Sequence, residues 1–201
     1  MQRKWILGLF TLFFSANVFC VPHEIVIVRH ADKWLQKDPG PYLSPKGQVR
    51  AEKLAVYYIN RFGKPDFIFA SKPVPSKTGS HRPLQTVMPL ANALTFQNLH
   101  PVLVQTPYVT QEYKQLAHLL LTQKRYANKN IVVCFHRPDM DALAHALGVT
   151  QTLPVWQKNV FDTVFVLQYK HGKLASFQIL KNQYPVLTKN LTWAELANRI
   201  T

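Results

Sequence analysis

The chain is poor in cysteine and in acidic residues. Its 201 residues hold two cysteines, Cys20 and Cys134. Two thiols are too few for a disulfide framework and do not suggest a zinc site. Asp and Glu number 10 against 24 Lys and Arg, a formal net charge of +14 with histidine neutral. Such a surplus draws anions: nucleic acid, an anionic membrane surface or a small anionic substrate. A nucleic-acid footprint needs clustered cations. No dense Lys/Arg run and no basic stretch interleaved with aromatics occurs, so no nucleic-acid partner is expected. Internal repeats and low-complexity tracts are also lacking. The hydrophobic fraction is 47% and the charged fraction 17%, which excludes a disordered chain and suits a globular one.

A long membrane span is missing too. The apolar run Trp5 to Phe14 is short for crossing a bilayer. It follows the cations Arg3 and Lys4 and leads to a less apolar exit, Ser15 to Cys20. Residues 1–20 therefore read as a secretory signal peptide cut after Cys20. Its removal takes the charge from +14 to +12, because it carries two cations and no acid. The expected product is one domain, residues 21–201, periplasmic or secreted, with no stable membrane span in the mature chain. A retained membrane anchor is the competing reading.

The run Ile25–Val28 is continuous and β-branched, which suits a strand buried on both faces. It ends at Arg29–His30. A polar loop follows, and then Ser44–Pro45, an N-cap and first-turn proline for a helix to about Asn60. Gly47 in that helix costs about 1 kcal/mol relative to Ala; either a close backbone approach requires it or it is merely tolerated. Residues 66–70 form a second strand. Arg82 opens a helix to about Leu94, which Pro89 is expected to kink. Residues 99–105 are a third apolar run, and a helix is expected from Thr110 to Tyr126. Ile131–Phe135 is another buried strand, ending at His136, with a helix to Gly148 after it. Residues 162–169 and 173–180 make a hairpin across His171–Gly172. A capping box at Thr192–Glu195 opens a short terminal helix. Alternation of strand and helix argues for a three-layer α/β/α sandwich with a mainly parallel central sheet.

Two buried strands thus end in histidine, and Arg29 and Arg82 fall just after strands. Phosphate chemistry asks for this mixture. Arginine gives multidentate donation to phosphate oxygens. A neutral imidazole can attack phosphorus, and a protonated one can hold the transferred group.

Four segments together resemble the histidine phosphatase superfamily, the phosphoglycerate mutase-like fold. They are Arg29-His30-Ala31, Leu43-Ser44-x-x-Gly47-x-x-Arg50-Ala51, Ser71 with Arg82-x-x-Gln85-Thr86, and the strand to His136 with Met140 and Leu143 beyond it. Their order and separation agree across roughly residues 24–148. The resemblance implies a phosphomonoesterase in which His30 is the nucleophile. Arg29, Arg82 and His136 would complete the phosphate pocket, with no cofactor and no metal. The implied partner is a small anionic phosphomonoester. The resemblance makes Glu112 the expected proton donor, with Asp139 and then Asp32 as the alternatives. Asp32, Arg137 and Asp139 are candidate substrate contacts. Three departures stand out. Ala31 replaces the family's usual Gly, residues 72–81 look inserted, and the motif around Glu112 matches poorly. A non-catalytic phosphate or polyanion-binding protein on the same fold is the rival function.

Overall fold

The computed structural model describes residues 20–34, 40–74, 79–98 and 100–185. The strands are β1 (Glu24–Arg29), β2 (Phe67–Ala70), β3 (Val104–Gln105), β4 (Asn130–Phe135), β5 (Val164–Lys170) and β6 (Lys173–Leu180). The α-helices are α1 (Pro45–Phe62), α2 (Arg82–Asn98), α3 (Tyr113–Thr122) and α4 (Arg137–Ala146). They build one six-stranded sheet in the order β3-β2-β4-β1-β5-β6. From β3 to β1 the pairings are parallel; β5 and β6 are antiparallel additions at one edge. The three-layer sandwich expected from the element pattern is what forms.

The unbroken apolar strands are explained by the two cores they separate. Ile25 and Ile27 of β1 face one way and join Ile131, Val133 and Phe135 of β4, under α3 and α4. Val26 and Val28 face the other way and join Val132 and Cys134, under Leu54 and Tyr58 of α1 and Leu90 and Leu94 of α2. With a helical layer on each face, period-2 alternation has nothing polar to alternate with.

Local chemistry sets the element ends. Ser44 Oγ accepts from Gly47 N–H at 3.1 Å, so it caps α1 as expected, with Pro45 in the first turn. The β5–β6 turn places both His171 (φ 50°) and Gly172 (φ 77°) in the left-handed region, as a tight hairpin requires. Pro89 lies inside α2, which continues past it to Asn98.

Some expectations need correction. The apolar run 99–105 yields a strand of only two residues, β3, at the sheet edge, where Val104 and Gln105 pair with Ile68 and Phe69. The helix expected over residues 110–126 is three pieces: a 3-10 turn Thr110–Glu112, α3, and a second 3-10 turn Lys124–Tyr126. The signal-peptide reading of residues 1–20 (Cys20 apart), the middles of the loops at 35–39 and 75–78, and the terminal helix after Thr192 lie outside the described residues. Among the described residues no helix is long and apolar enough to cross a membrane.

Candidate active site

Strand register explains why two distant histidines meet. β1 and β4 are neighbours, with Arg29 opposite Phe135, and His30 N–H donates to Phe135 O at 3.1 Å. The chain leaves both strands at the next residue. His30 and His136 therefore emerge side by side, with ring centroids 4.9 Å apart and planes at 64°. His30 is only 5% exposed. Its Nδ1 lies 2.8 Å from Ala31 O. A carbonyl can only accept, so Nδ1 carries the proton and Nε2 keeps its lone pair.

Both imidazoles sit in a cationic, desolvated place. Burial, then His136, Arg29 and Arg82, push the His30 pKa well below the ordinary histidine value. Burial, then Arg82 and Arg29, lower His136 to about 4. Both rings are thus neutral at neutral pH, and an anion arriving between them would reverse the field that keeps them so.

Arg29 is 4% exposed, and its guanidinium lies 3.9 Å over the Phe161 ring. Its Nη atoms donate to the carbonyls of Gln157, Lys158 and Val160 at 3.2, 2.9 and 2.5 Å. Arg82, the first residue of α2, donates through Nη1 to Gly40 O at 2.6 Å. Burial, chiefly, lowers both guanidinium pKa values, Arg29 to about 10, yet both stay cationic at neutral pH. Their Nε–H groups are buried and find no partner among the described residues. A buried unpaired donor is costly, so each is a donor awaiting an acceptor.

The loop after β1 is held from three sides. Ala31 N–H donates to Thr86 Oγ1 at 2.9 Å, and Thr86 in turn donates to Arg82 O at 2.7 Å. Leu43 N–H donates to Gln85 Oε1 at 2.9 Å. The Gln85-Thr86 pair thus couples the Arg82 turn to the His30 loop. Asp32 O accepts from Ser44 N at 3.0 Å and Ser44 Oγ at 3.1 Å. A Cβ on Gly47 would sit 2.2 Å from that same oxygen, so the close backbone approach is real. Ala31 stands in for glycine without strain: its methyl packs with Leu43 and Ala51 in a small buried cluster.

The carboxylates fall differently from one another. Asp32 is buried and paired with Arg50, with Lys46 Nζ at 3.9 Å. Arg50 also reaches Asp162 at 3.5 Å. Asp32 therefore serves an internal ion-pair network, although it lies on a cavity wall. Glu112 turns back on its own 3-10 turn, where Oε2 accepts from Val109 N–H at 3.0 Å. It is absent from the residues lining the cavity at His136, whereas Asp139 is among them. Burial raises the Asp139 pKa. The structure thus favours Asp139 over Glu112 and Asp32 as an available carboxyl group. Arg137 donates to Trp156 O at 3.2 Å and faces the Arg29 side.

Two cavities flank the histidine pair. One, about 650 Å³, is lined by Arg82, His136 and Asp139. The other, about 760 Å³, is lined by Arg29, Asp32, Arg137 and Phe161. Among the described residues no group of three or more His, Cys, Asp or Glu is placed to hold a metal ion. Sequence reasoning missed Phe161 and gave Arg50 no role. Arg50 had a signal: it falls on the buried face of α1 with Gly47, Leu54 and Tyr58, where a cation requires a partner.

No family profile matches the sequence, and no curated protein matches it. Solved structures do match the fold. The protein histidine phosphatase SixA complexed with tungstate is 17% identical, with a TM-score of 0.56 over 79% of this chain and 96% of that one. A provisionally named alpha-ribazole-5′-P phosphatase from Escherichia coli K-12 is 13% identical, with a TM-score of 0.55 over 81% and 99%. The mycobacterial glucosyl-3-phosphoglycerate phosphatase with inorganic phosphate is 14% identical, with a TM-score of 0.50 over 80% and 97%. With the sheet order already described, these likenesses show that the chain has the phosphoglycerate mutase-like fold.

Proposed function

We propose that this protein is an exported phosphomonoesterase that works through a phosphohistidine on His30. The observation that carries this reading is the His30–His136 pair, with Nδ1 of His30 fixed by Ala31 O and two buried arginine Nε–H donors beside it. That the compared structures are named as phosphatases supports the reaction class. Export rests on the character of residues 1–20 and would make the mature chain periplasmic or secreted.

The His30 Nε2 lone pair attacks phosphorus as the ester P–O bond breaks, and Asp139 gives its proton to the leaving oxygen. Water then attacks the phosphohistidine, and the P–N bond breaks. Asp139 takes the water proton, and orthophosphate leaves with His30 restored. Arg29, Arg82 and His136 stabilise the charge spread over the phosphoryl oxygens, the main demand of such a transfer. The test is hydrolysis of p-nitrophenyl phosphate across pH 4–8, with an acid-labile phosphoenzyme trapped on quenching. Both should vanish in His30→Ala; unchanged hydrolysis in that variant sinks the proposal.

One observation favours a second reading, a phosphate-binding protein without turnover. The Arg29 Nη atoms are already spent on loop carbonyls. Phosphate or vanadate binding that Arg82→Ala abolishes, in a protein that neither hydrolyses nor traps phosphate, would select it.

A further inference from the structure

The 760 Å³ cavity on the Arg29 side is within the size range of small-molecule sites. Its wall carries Lys33, Lys46, Lys158 and Arg137 besides Arg29, against one acid, Asp32. That acid is already neutralised by Arg50, which points at it from inside the core. Lys33 and Lys158 are exposed, and their ammonium groups have no hydrogen-bond or ion-pair partner among the described residues. The cations come from four separate segments: the loop after β1, the first turn of α1, the first turn of α4, and the 157–161 loop. Convergence of that kind has a cost, because like charges are brought together around a concavity. Of the four, Lys46 alone is within ion-pair distance of an acid among the described residues, 3.9 Å from Asp32. The proposed phosphoryl site does not use these lysines; its residues Arg82, His136 and Asp139 line the other cavity.

We infer that this cavity is a second anion site, which takes a small polyanion bearing two or more phosphate-like or carboxylate groups. The two sites share Arg29 as a wall. An anion in the second site neutralises part of the field at His30, so it weakens orthophosphate binding between the histidines, and the coupling is reciprocal. The inference does not depend on turnover, so it stands or falls apart from the phosphohistidine reading.

The test uses calorimetric titration of the purified chain with methylenediphosphonate, which cannot be hydrolysed, and with orthophosphate. The double variant Lys33→Gln/Lys158→Gln should lose about tenfold in diphosphonate affinity at low salt, where cation–anion attraction is least screened, and keep its orthophosphate affinity. Arg82→Ala should do the reverse. Lys33→Arg/Lys158→Arg should keep both affinities, which separates lost charge from lost fold. Citrate in place of the diphosphonate distinguishes a general polyanion site from one that requires phosphorus oxygens. Diphosphonate affinity that survives the glutamine pair, or that disappears with Arg82→Ala, overturns the second site. Loss of phosphoenzyme trapping would instead overturn only the proposed catalysis.

Discussion

Replacing Gly47 by alanine sets two magnitudes against each other. Helix propensity alone makes Gly47→Ala stabilising, by about 1 kcal/mol. The tertiary structure makes it costly. The new Cβ would lie 2.2 Å from Asp32 O and 3.1 Å from both Asp32 C and N, where ordinary contact begins at 3.4 Å. Backbone, not a flexible side chain, must give way by at least about 1 Å, the difference between 2.2 and 3.4 Å. Asp32 O is also pinned by two donors from Ser44, so moving it strains or breaks a hydrogen bond worth about 1 kcal/mol. Overpacking of this kind costs about 1–3 kcal/mol. The net expectation is a loss of about 1–3 kcal/mol, a Tm lower by roughly 3–10 °C for a chain of this size. Asp32 lies two residues from His30, and a 1 Å misplacement of reacting groups can cost about a hundredfold in rate. kcat/KM for p-nitrophenyl phosphate should therefore fall at least tenfold. Calorimetry and initial rates on the two proteins decide it. A Tm that rises, with unchanged kcat/KM, would refute the close-approach argument and leave Gly47 as a tolerated residue.

Three further outcomes follow from the same geometry. Because burial lowers the folded-state pKa of His136 to about 4, the unfolded chain binds more protons than the native one between pH 6.5 and 4. Stability should then fall as pH drops through that window, by roughly 1–2 kcal/mol at pH 5, and His136→Gln should flatten this part of the urea-unfolding curve; an unchanged slope contradicts it. Arg50→Ala leaves the buried Asp32 carboxylate without its main partner and should cost about 3–5 kcal/mol, with partial recovery in Asp32→Asn/Arg50→Ala; equal stability of the single and double variants would mean the pair is not coupled. Asp139→Asn should slow hydrolysis of an alkyl phosphate far more than of p-nitrophenyl phosphate, whose leaving group needs little protonation; equal losses would remove Asp139 as the donor.

Much of this was legible from the sequence for definite reasons. The runs Ile25–Val28 and Ile131–Phe135 announce strands covered on both faces, and both cores exist. Ser44–Pro45 announces the start of α1, and the cap is made. Other features depended on partners far away in the chain. Residues 99–105 are apolar enough for a strand, yet only Val104 and Gln105 find a neighbour at the sheet edge. Glu112 carries the right chemistry for a proton donor, but its carboxylate accepts from the Val109 N–H of its own turn.

The sequence by itself determined the layers of this protein and the residue types at its strand ends, because apolar periodicity and capping are local properties of the chain. Only the tertiary structure decided that β4 inserts next to β1, and hence that His30 and His136 touch, because strand order is set by which faces bury together. It also decided which cations remain free. Arg29, Arg50 and Arg82 are alike in the sequence. Packing commits Arg29 to the 157–160 carbonyls and Arg50 to Asp32, and leaves on Arg29 and on Arg82 alike a buried Nε–H without a partner among the described residues. A charge buried in the core must find its partner there, whereas one at a cavity wall can keep a donor for what binds.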